Sequence, residues 1–330
     1  MALDLLAIEP NKVSTDLSGY ITYIYGEGKT GKTTMASKMK NALLLAFEPG
    51  YKAIPGIRAL DITSWAQVKQ AQRQLKDPKV KEAYKSIVVD TVDIAASLCD
   101  KYICNQAGVD KLNDVPYGQG WTRVKKEFEE TFRAIAQDGY ALFFISHSKD
   151  KVFKTKDGIE YNQIVPSCSA TYNEIVKNMA DIYAFAEKYI DENGVNKVRL
   201  NLRSPNNSAD TGCRFKYIVP TIDFEYSELE KALNDAIEKE AQMTNNATYF
   251  TDEKAKTIEA VTYDYDTLIA EFNDIIGQLM QKDNNYYAPR VTQIVDKYLG
   301  KGKKVSETTR DQAEFVALII AEIKEELIED

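Results

Sequence analysis

The chain has one histidine, His147, and four cysteines among 330 residues, and both scarcities narrow the chemistry open to it. Cys99, Cys104, Cys168 and Cys213 show no CxxC spacing and are too few to staple a chain of this length, so neither a structural zinc site nor a disulfide framework is expected. Residues 1–20 lack a basic start, carry Asp4, Glu9 and Asp16, and hold no apolar run long enough for a signal peptide or membrane helix. No membrane contact is expected, and a reducing cytoplasm fits both facts. The formal net charge of −8 argues against a protein that coats nucleic acid through its overall field, which leaves only local basic segments for that task. With 44% hydrophobic and 28% charged residues the chain is not disordered, and its length suits one large domain plus a smaller one.

What is present starts with a phosphate loop. Gly26, Glu27, Gly28, Lys29, Thr30, Gly31, Lys32 and Thr33 have the GxxxxGKT spacing, with Thr34 following. The β-branched and aromatic residues 20–25 before it suit a strand, and residues 33–41 after it suit a helix. Glycines let main-chain N–H groups turn inward around phosphates, and a helix N-terminus adds partial positive charge. Lys32 is expected to neutralise the phosphates of ATP and Thr33 to hold Mg²⁺.

Strand and helix patterns then alternate, which predicts an α/β fold with a mostly parallel sheet covered by helices. Residues 42–47, 86–90 and 141–145 are buried-strand runs. Ser64 is a helix cap ahead of Trp65, Val68 and Leu75, with Pro78 ending that helix. Residues 181–189 and 195–203 flank Asn193-Gly194, a pair suited to a tight antiparallel turn.

Two carboxylates close these strands. Asp90 ends its apolar run where open α/β sheets place ligands, and is assigned to the metal shell beside Thr33. Glu48 ends the strand that follows the phosphate loop, a place from which a carboxylate orients and polarises the water attacking a γ-phosphate; a solvated strand-end Glu is the alternative. Asp93, one turn after Asp90, reads as a solvated helix residue.

This order of elements resembles the RecA-like P-loop ATPases, in which the catalytic glutamate lies at the end of the strand after the phosphate loop. More narrowly, the chain resembles small phage-encoded RecA-like ATP-binding proteins, some of which act as single-strand annealing recombinases. The likeness rests on residues 26–34, Glu48, residues 87–90, 115–121 and 144–149, and the 211–215 segment, and spans about residues 18–235. It implies that His147, at the end of the last core strand, senses the γ-phosphate as a switch rather than as a base. It implies that Arg203 or Arg214 reaches a neighbour's site in trans, hence a head-to-tail homo-oligomer, ring or filament. It also implies that the connection after His147 is a DNA loop in which Lys149, Lys151, Lys154 and Lys156 track phosphates and Phe153 stacks on bases of single-stranded DNA. Asp150, Asp157 and Glu160 in that segment keep a solvated charged loop open as the alternative.

Domain expectations are an ATPase domain at residues 1–241, a linker at 242–266 and a C-terminal helical module at 267–330. In the last, Leu268 to Met280, Val291 to Leu299 and Phe315 to Leu327 carry three apolar helical faces. A single-strand-binding or replication protein is the partner expected there. The function expected is an ATPase that binds single-stranded DNA and supports phage recombination or annealing in the host cytoplasm. A nucleotide-controlled assembly protein without DNA binding is the alternative. A P-loop kinase is disfavoured because no arginine-rich lid follows the loop.

Overall fold

The structure is a computed structural model that describes residues 6, 8–244, 249–255 and 261–328, so the expected domain, linker and module each extend partly outside the described residues. The chain falls into two compact units, one within residues 10–259 and the other within 260–330 together with residues 1–9.

The larger unit opens with β1 (Val13–Ser14) and β2 (Thr22–Gly26), the strand that delivers the phosphate loop. After α1 (Lys32–Ala36) come β3 (Ala42–Ala46), β4 (Ala59–Asp61), α2 (Trp65–Gln74), α3 (Pro78–Ala83), β5 (Ser86–Asp90) and α4 (Val92–Ala107). Next are α5 (Gly120–Gln137), β6 (Ala141–Ser146), β7 (Ser148–Lys154), β8 (Glu160–Pro166) and α6 (Ala170–Met179). The unit ends with β9 (Ile182–Ile190), β10 (Asn196–Asn201), β11 (Gly212–Cys213), β12 (Thr221–Asp223), α7 (Tyr226–Thr244) and β13 (Phe250–Thr251).

Its main sheet has the order β12-β10-β9-β2-β6-β5-β3-β4, with β11 beside β9. From β9 to β4 all neighbours are parallel, while β10, β11 and β12 extend the sheet antiparallel. The central strands are apolar throughout because both faces are covered. Ile87, Val89, Leu142 and Phe144 face the core under α2, α4, α5 and α6. The alternate residues Val88, Phe143 and Ile145 face the one shared with α1 and α7. Trp65, fully buried, stacks on Phe128 with ring centroids 5.6 Å apart.

Four local expectations are corrected. The helix after the phosphate-loop motif is five residues long, Lys32–Ala36, instead of running to residue 41. Pro78 opens α3, with Asp77 as its cap, rather than only ending α2. Residues 148–166 form an antiparallel hairpin, in register from Ser148 opposite Pro166 to Lys154 opposite Glu160, where a loop was expected. Charges on both faces hide the period-2 signal there. In the expected linker, β13 pairs parallel with β1, Ser14 Oγ donates to Glu253 O at 2.5 Å and Lys254 Nζ to Gly139 O at 2.5 Å; this stretch belongs to the larger unit's surface.

In the smaller unit, α8 (Tyr265–Leu299) is interrupted at Asp283, whose ψ is 95°. The Asp283 Oδ1 accepts the Tyr286 N–H at 3.1 Å and so caps the restarted helix. With α9 (Ala313–Leu327) it buries Leu279, Val295, Val316, Ile319 and Ile323. Phe315, read above as part of an apolar face, is 43% exposed and points outward. Gly300, at φ 96°, ends α8. Among the described residues no helix is long and apolar enough to cross a membrane.

Candidate active site

The carboxyl ends of β2, β6, β5 and β3 lie side by side, so Gly26, His147, Asp90 and Glu48 come together although they are far apart in the chain. Gly26 must be glycine: a Cβ there would lie 2.4 Å from Ala186 O on β9. Gly31 turns the chain into α1 at φ 89°, a conformation side chains resist.

Lys32 is buried, at 6% exposure. Its ammonium donates to Gly26 O at 2.8 Å, Glu27 O at 2.6 Å and Thr30 Oγ1 at 3.2 Å, all inside the loop. Burial brings its pKa down to about 8, against the pull of Asp90, Asp93 and Glu48 and with a push from Lys188. Thr33 Oγ1 donates to Asp90 Oδ2 at 2.6 Å. Asp90 is buried, and its carboxyl is raised first by that burial and then by Glu48 nearby, while Thr33 lowers it.

Glu48 accepts from Thr91 Oγ1 at 3.0 Å, and its Oε1 lies 3.3 Å from His147 Nε2. With the proton on Nε2, His147 donates to Glu48. The Glu48 side chain is 34% exposed, open to water on one side and held on the other. His147 therefore touches the very carboxylate assigned to water activation.

Asp93 is not the solvated residue expected. Its carboxylate accepts from Ser146 Oγ at 2.8 Å and His147 N at 3.3 Å, and from the Ser167 hydroxyl, tying the end of β6 and the far end of the hairpin to the first turn of α4. Lys188 of β9 was also missed: its Nζ donates to Glu27 Oε2 and to Gly28 O, each at 3.0 Å, clamping the phosphate loop from outside. The three-residue spacing of Asp90 and Asp93 hints at the first; nothing local to residue 188 announces the second.

Mg²⁺ takes one or two protein oxygens and fills its shell with water and phosphate oxygens. The adjacent Thr33 hydroxyl and Asp90 carboxylate, crowded by a second carboxylate, are a donor set of that kind. Among the described residues no cluster of three or more His, Cys, Asp and Glu side chains is arranged for a metal.

The arginines lie elsewhere. Arg203 follows β10 and donates through Nη2 to Phe215 O at 2.9 Å, Lys216 O at 3.3 Å and Cys213 O at 3.5 Å. Arg214 Nε pairs with Asp181 Oδ1 at 3.4 Å just before β9. Strand register puts Arg214 at the end of the sheet opposite the phosphate loop, and the Arg203 guanidinium turns toward residues 213–216 on that side, away from the phosphate loop.

On the hairpin, Lys149, Lys151 and Phe153 share one face with Tyr161, because side chains alternate. Lys151 Nζ sits 4.8 Å from the Phe153 ring centre, and Phe153 stacks on Tyr161 at 5.7 Å. Lys149 is occupied with Ser167 O and Cys168 O at 2.8 and 3.3 Å. Lys154 projects from the other face, 3.9 Å from Glu160, and Lys156 is in the exposed turn.

Residues 18–215 match the model of a family described as AAA domain. The chain is 30% identical over 339 aligned positions to the SPbeta prophage-derived uncharacterized protein YorG of Bacillus subtilis (strain 168), with 100% of both chains covered. The chain belongs to the AAA domain family and, at that level, is a nucleotide-binding P-loop ATPase.

Proposed function

We propose that this chain is a RecA-like, Mg²⁺-dependent ATPase that binds single-stranded DNA and supports strand annealing or recombination of phage DNA. The observation that carries the reading is a continuous path. His147 contacts Glu48 at 3.3 Å, and the next residue begins a hairpin whose one face stacks Phe153 on Tyr161 under the Lys151 ammonium. Cations that follow phosphates and aromatics that stack on bases hold single strands without reading sequence. The prophage origin of the similar protein supports the phage setting.

In this reading main-chain amides of residues 26–31 and the Lys32 ammonium bind the triphosphate. Thr33 and Asp90 would hold Mg²⁺, which neutralises charge on the phosphate oxygens. Glu48 positions water through the oxygen not committed to Thr91 and His147, and accepts its proton. His147 and Asp93 relay the state of Glu48 to the root of the hairpin. Copies associate head to tail, and Arg214, 65% exposed and paired with one carboxylate, is better suited than the carbonyl-bound Arg203 to reach a neighbour's phosphate. The segment after residue 266 is assigned to a single-strand-binding or replication protein.

ATP turnover with and without single-stranded DNA, across a salt series, tests this. DNA stimulation should disappear when Lys151, Phe153, Lys154 and Lys156 are changed to Ala, with a loss of about 1–3 kcal/mol in DNA affinity per base stack removed. Equal turnover with and without DNA, and no DNA retained at low salt, would instead favour nucleotide-controlled assembly.

A further inference from the structure

We propose that the cavity at the amino ends of the parallel strands is a second anion site, shaped for a phosphate group and separate from the phosphate loop. It measures about 330 Å³ and is lined by Lys40, Lys81, Lys85 and Lys254 against Asp16 and Asp138. Lys40 comes just before β3, Lys85 just before β5, Asp16 before β2 and Asp138 at the end of α5, so sheet topology, and not chain proximity, gathers them. In a chain of net charge −8 this is a local excess of cations.

The acids do not balance it. Asp138 is paired with Lys81 at 3.6 Å, and Asp16 Oδ1 accepts the Ser18 N–H at 2.8 Å. Among the described residues, Lys85 Nζ and Lys254 Nζ donate to neutral carbonyls, Lys81 O and Gly139 O, each at 2.5 Å. Among the described residues no ion pair forms at Lys40. Lys254 is held lower than an ordinary lysine, first by burial and then by the positive charges of Lys85 and Lys40, against the pull of Asp16. An oxyanion between these groups removes that repulsion and completes their hydrogen bonds. A further cation stands outside the cavity wall, with the Arg58 guanidinium 5.5 Å from the centre of the Tyr84 ring. A phosphate diester of a nucleic-acid strand and a free phosphate compound share this chemistry. The inference does not rest on the DNA reading of the hairpin.

Pyrophosphate is the probe, titrated by calorimetry into the Lys32→Ala chain so that the phosphate loop does not compete. Uptake is expected there, weakened about tenfold or more when Lys40, Lys85 and Lys254 are also changed to Gln, since charge-assisted bonds to the anion are lost. Lys40→Gln alone, which breaks no ion pair among the described residues, should weaken it about threefold, in line with the loss of one partly screened charge. With Lys32 intact, the three-lysine variant should keep parental ATP turnover in the absence of DNA, which shows that it folds. If a labelled oligothymidylate competes with pyrophosphate and loses affinity in the same variants, the source is nucleic acid; if pyrophosphate binds and the oligonucleotide does not compete, it is a free phosphate compound. No pyrophosphate uptake, or uptake equal in all of these chains, overturns the site. So does a result in which only an acidic peptide binds.

Discussion

The two ends of the parallel strands carry opposite charge arrangements. At the carboxyl end, Glu48, Asp90 and Asp93 surround Lys32, and each carboxylate has a named hydroxyl or amide partner. At the amino end, Lys40, Lys81, Lys85 and Lys254 converge and outnumber Asp16 and Asp138, with Lys85 and Lys254 bonded to neutral carbonyls, and Arg214 lies at the same level of the sheet. The first end is organised for a cation with a polyanion, the second for an anion alone. A sheet of one direction makes this division possible, because all strand-end residues of one kind appear on one side.

The sharpest way to break the comparison is to remove Glu48, the carboxylate at the first end that stays partly open to water beside His147. Glu48→Gln should lower kcat for ATP by about 10²–10⁴-fold, the range lost with a general base, while the nucleotide Kd stays close to parental. Rapid-quench turnover beside equilibrium binding reads both. Equal losses in the two would return Glu48 to a structural role.

A second measurement uses the Lys32 ammonium. In the fold its pKa is about 8 against 10.5 for an unperturbed lysine. The buried charge therefore costs stability below pH 8, and that cost fades as the pH rises from 8 towards 10.5. Nucleotide needs the charged form, so affinity should fall by up to about tenfold per pH unit above 8, with proton uptake on binding. Calorimetry in buffers of different ionisation enthalpy detects the proton. Lys32→Arg should flatten the profile, since its guanidinium stays charged.

The smallest effects distinguish the arginines of the second end. Arg203→Ala removes a donor from main-chain carbonyls and should cost about 1–2 kcal/mol of stability in urea unfolding, with unchanged turnover per folded chain. Arg214→Ala breaks one half-exposed ion pair with Asp181 and one bond to Asn178 O and should cost about 1 kcal/mol, but slow turnover only at protein concentrations where chains associate.

Legibility followed the same division. That the phosphate-loop motif, Glu48, Asp90 and His147 stand at strand ends is legible because each follows an apolar run, a pattern that marks strand ends without knowing strand order. Asp93 was misread because its partners Ser146 and Ser167 are 53 and 74 residues away, and only the pairing of β5 with β6 brings them close. Lys188 escaped for the same reason, through the pairing of β2 with β9. The hairpin reads as a loop in the sequence because Lys, Asp and Glu occupy both of its faces, leaving no apolar stripe to count. The lysines of the amino end are spread over the chain, Lys40 before β3, Lys81 and Lys85 around the end of α3 and Lys254 after β13, and no short window of sequence contains them all. The break in α8 at Asp283 agrees with the expectation of separate helices, because the polar run of residues 281–285 interrupts the apolar positions there.

The account depends most on Lys32 gripping a triphosphate inside the loop that it now cross-links through Gly26 O and Glu27 O. Titrating ATP with Mg²⁺ into the parent and into Lys32→Ala by calorimetry tests it. Saturable uptake in the parent, reduced about a hundredfold or more in the variant, is the predicted result, equal to the loss of one or two charge-assisted bonds in a buried site. No uptake by the folded parent, or equal uptake by both chains, would contradict it.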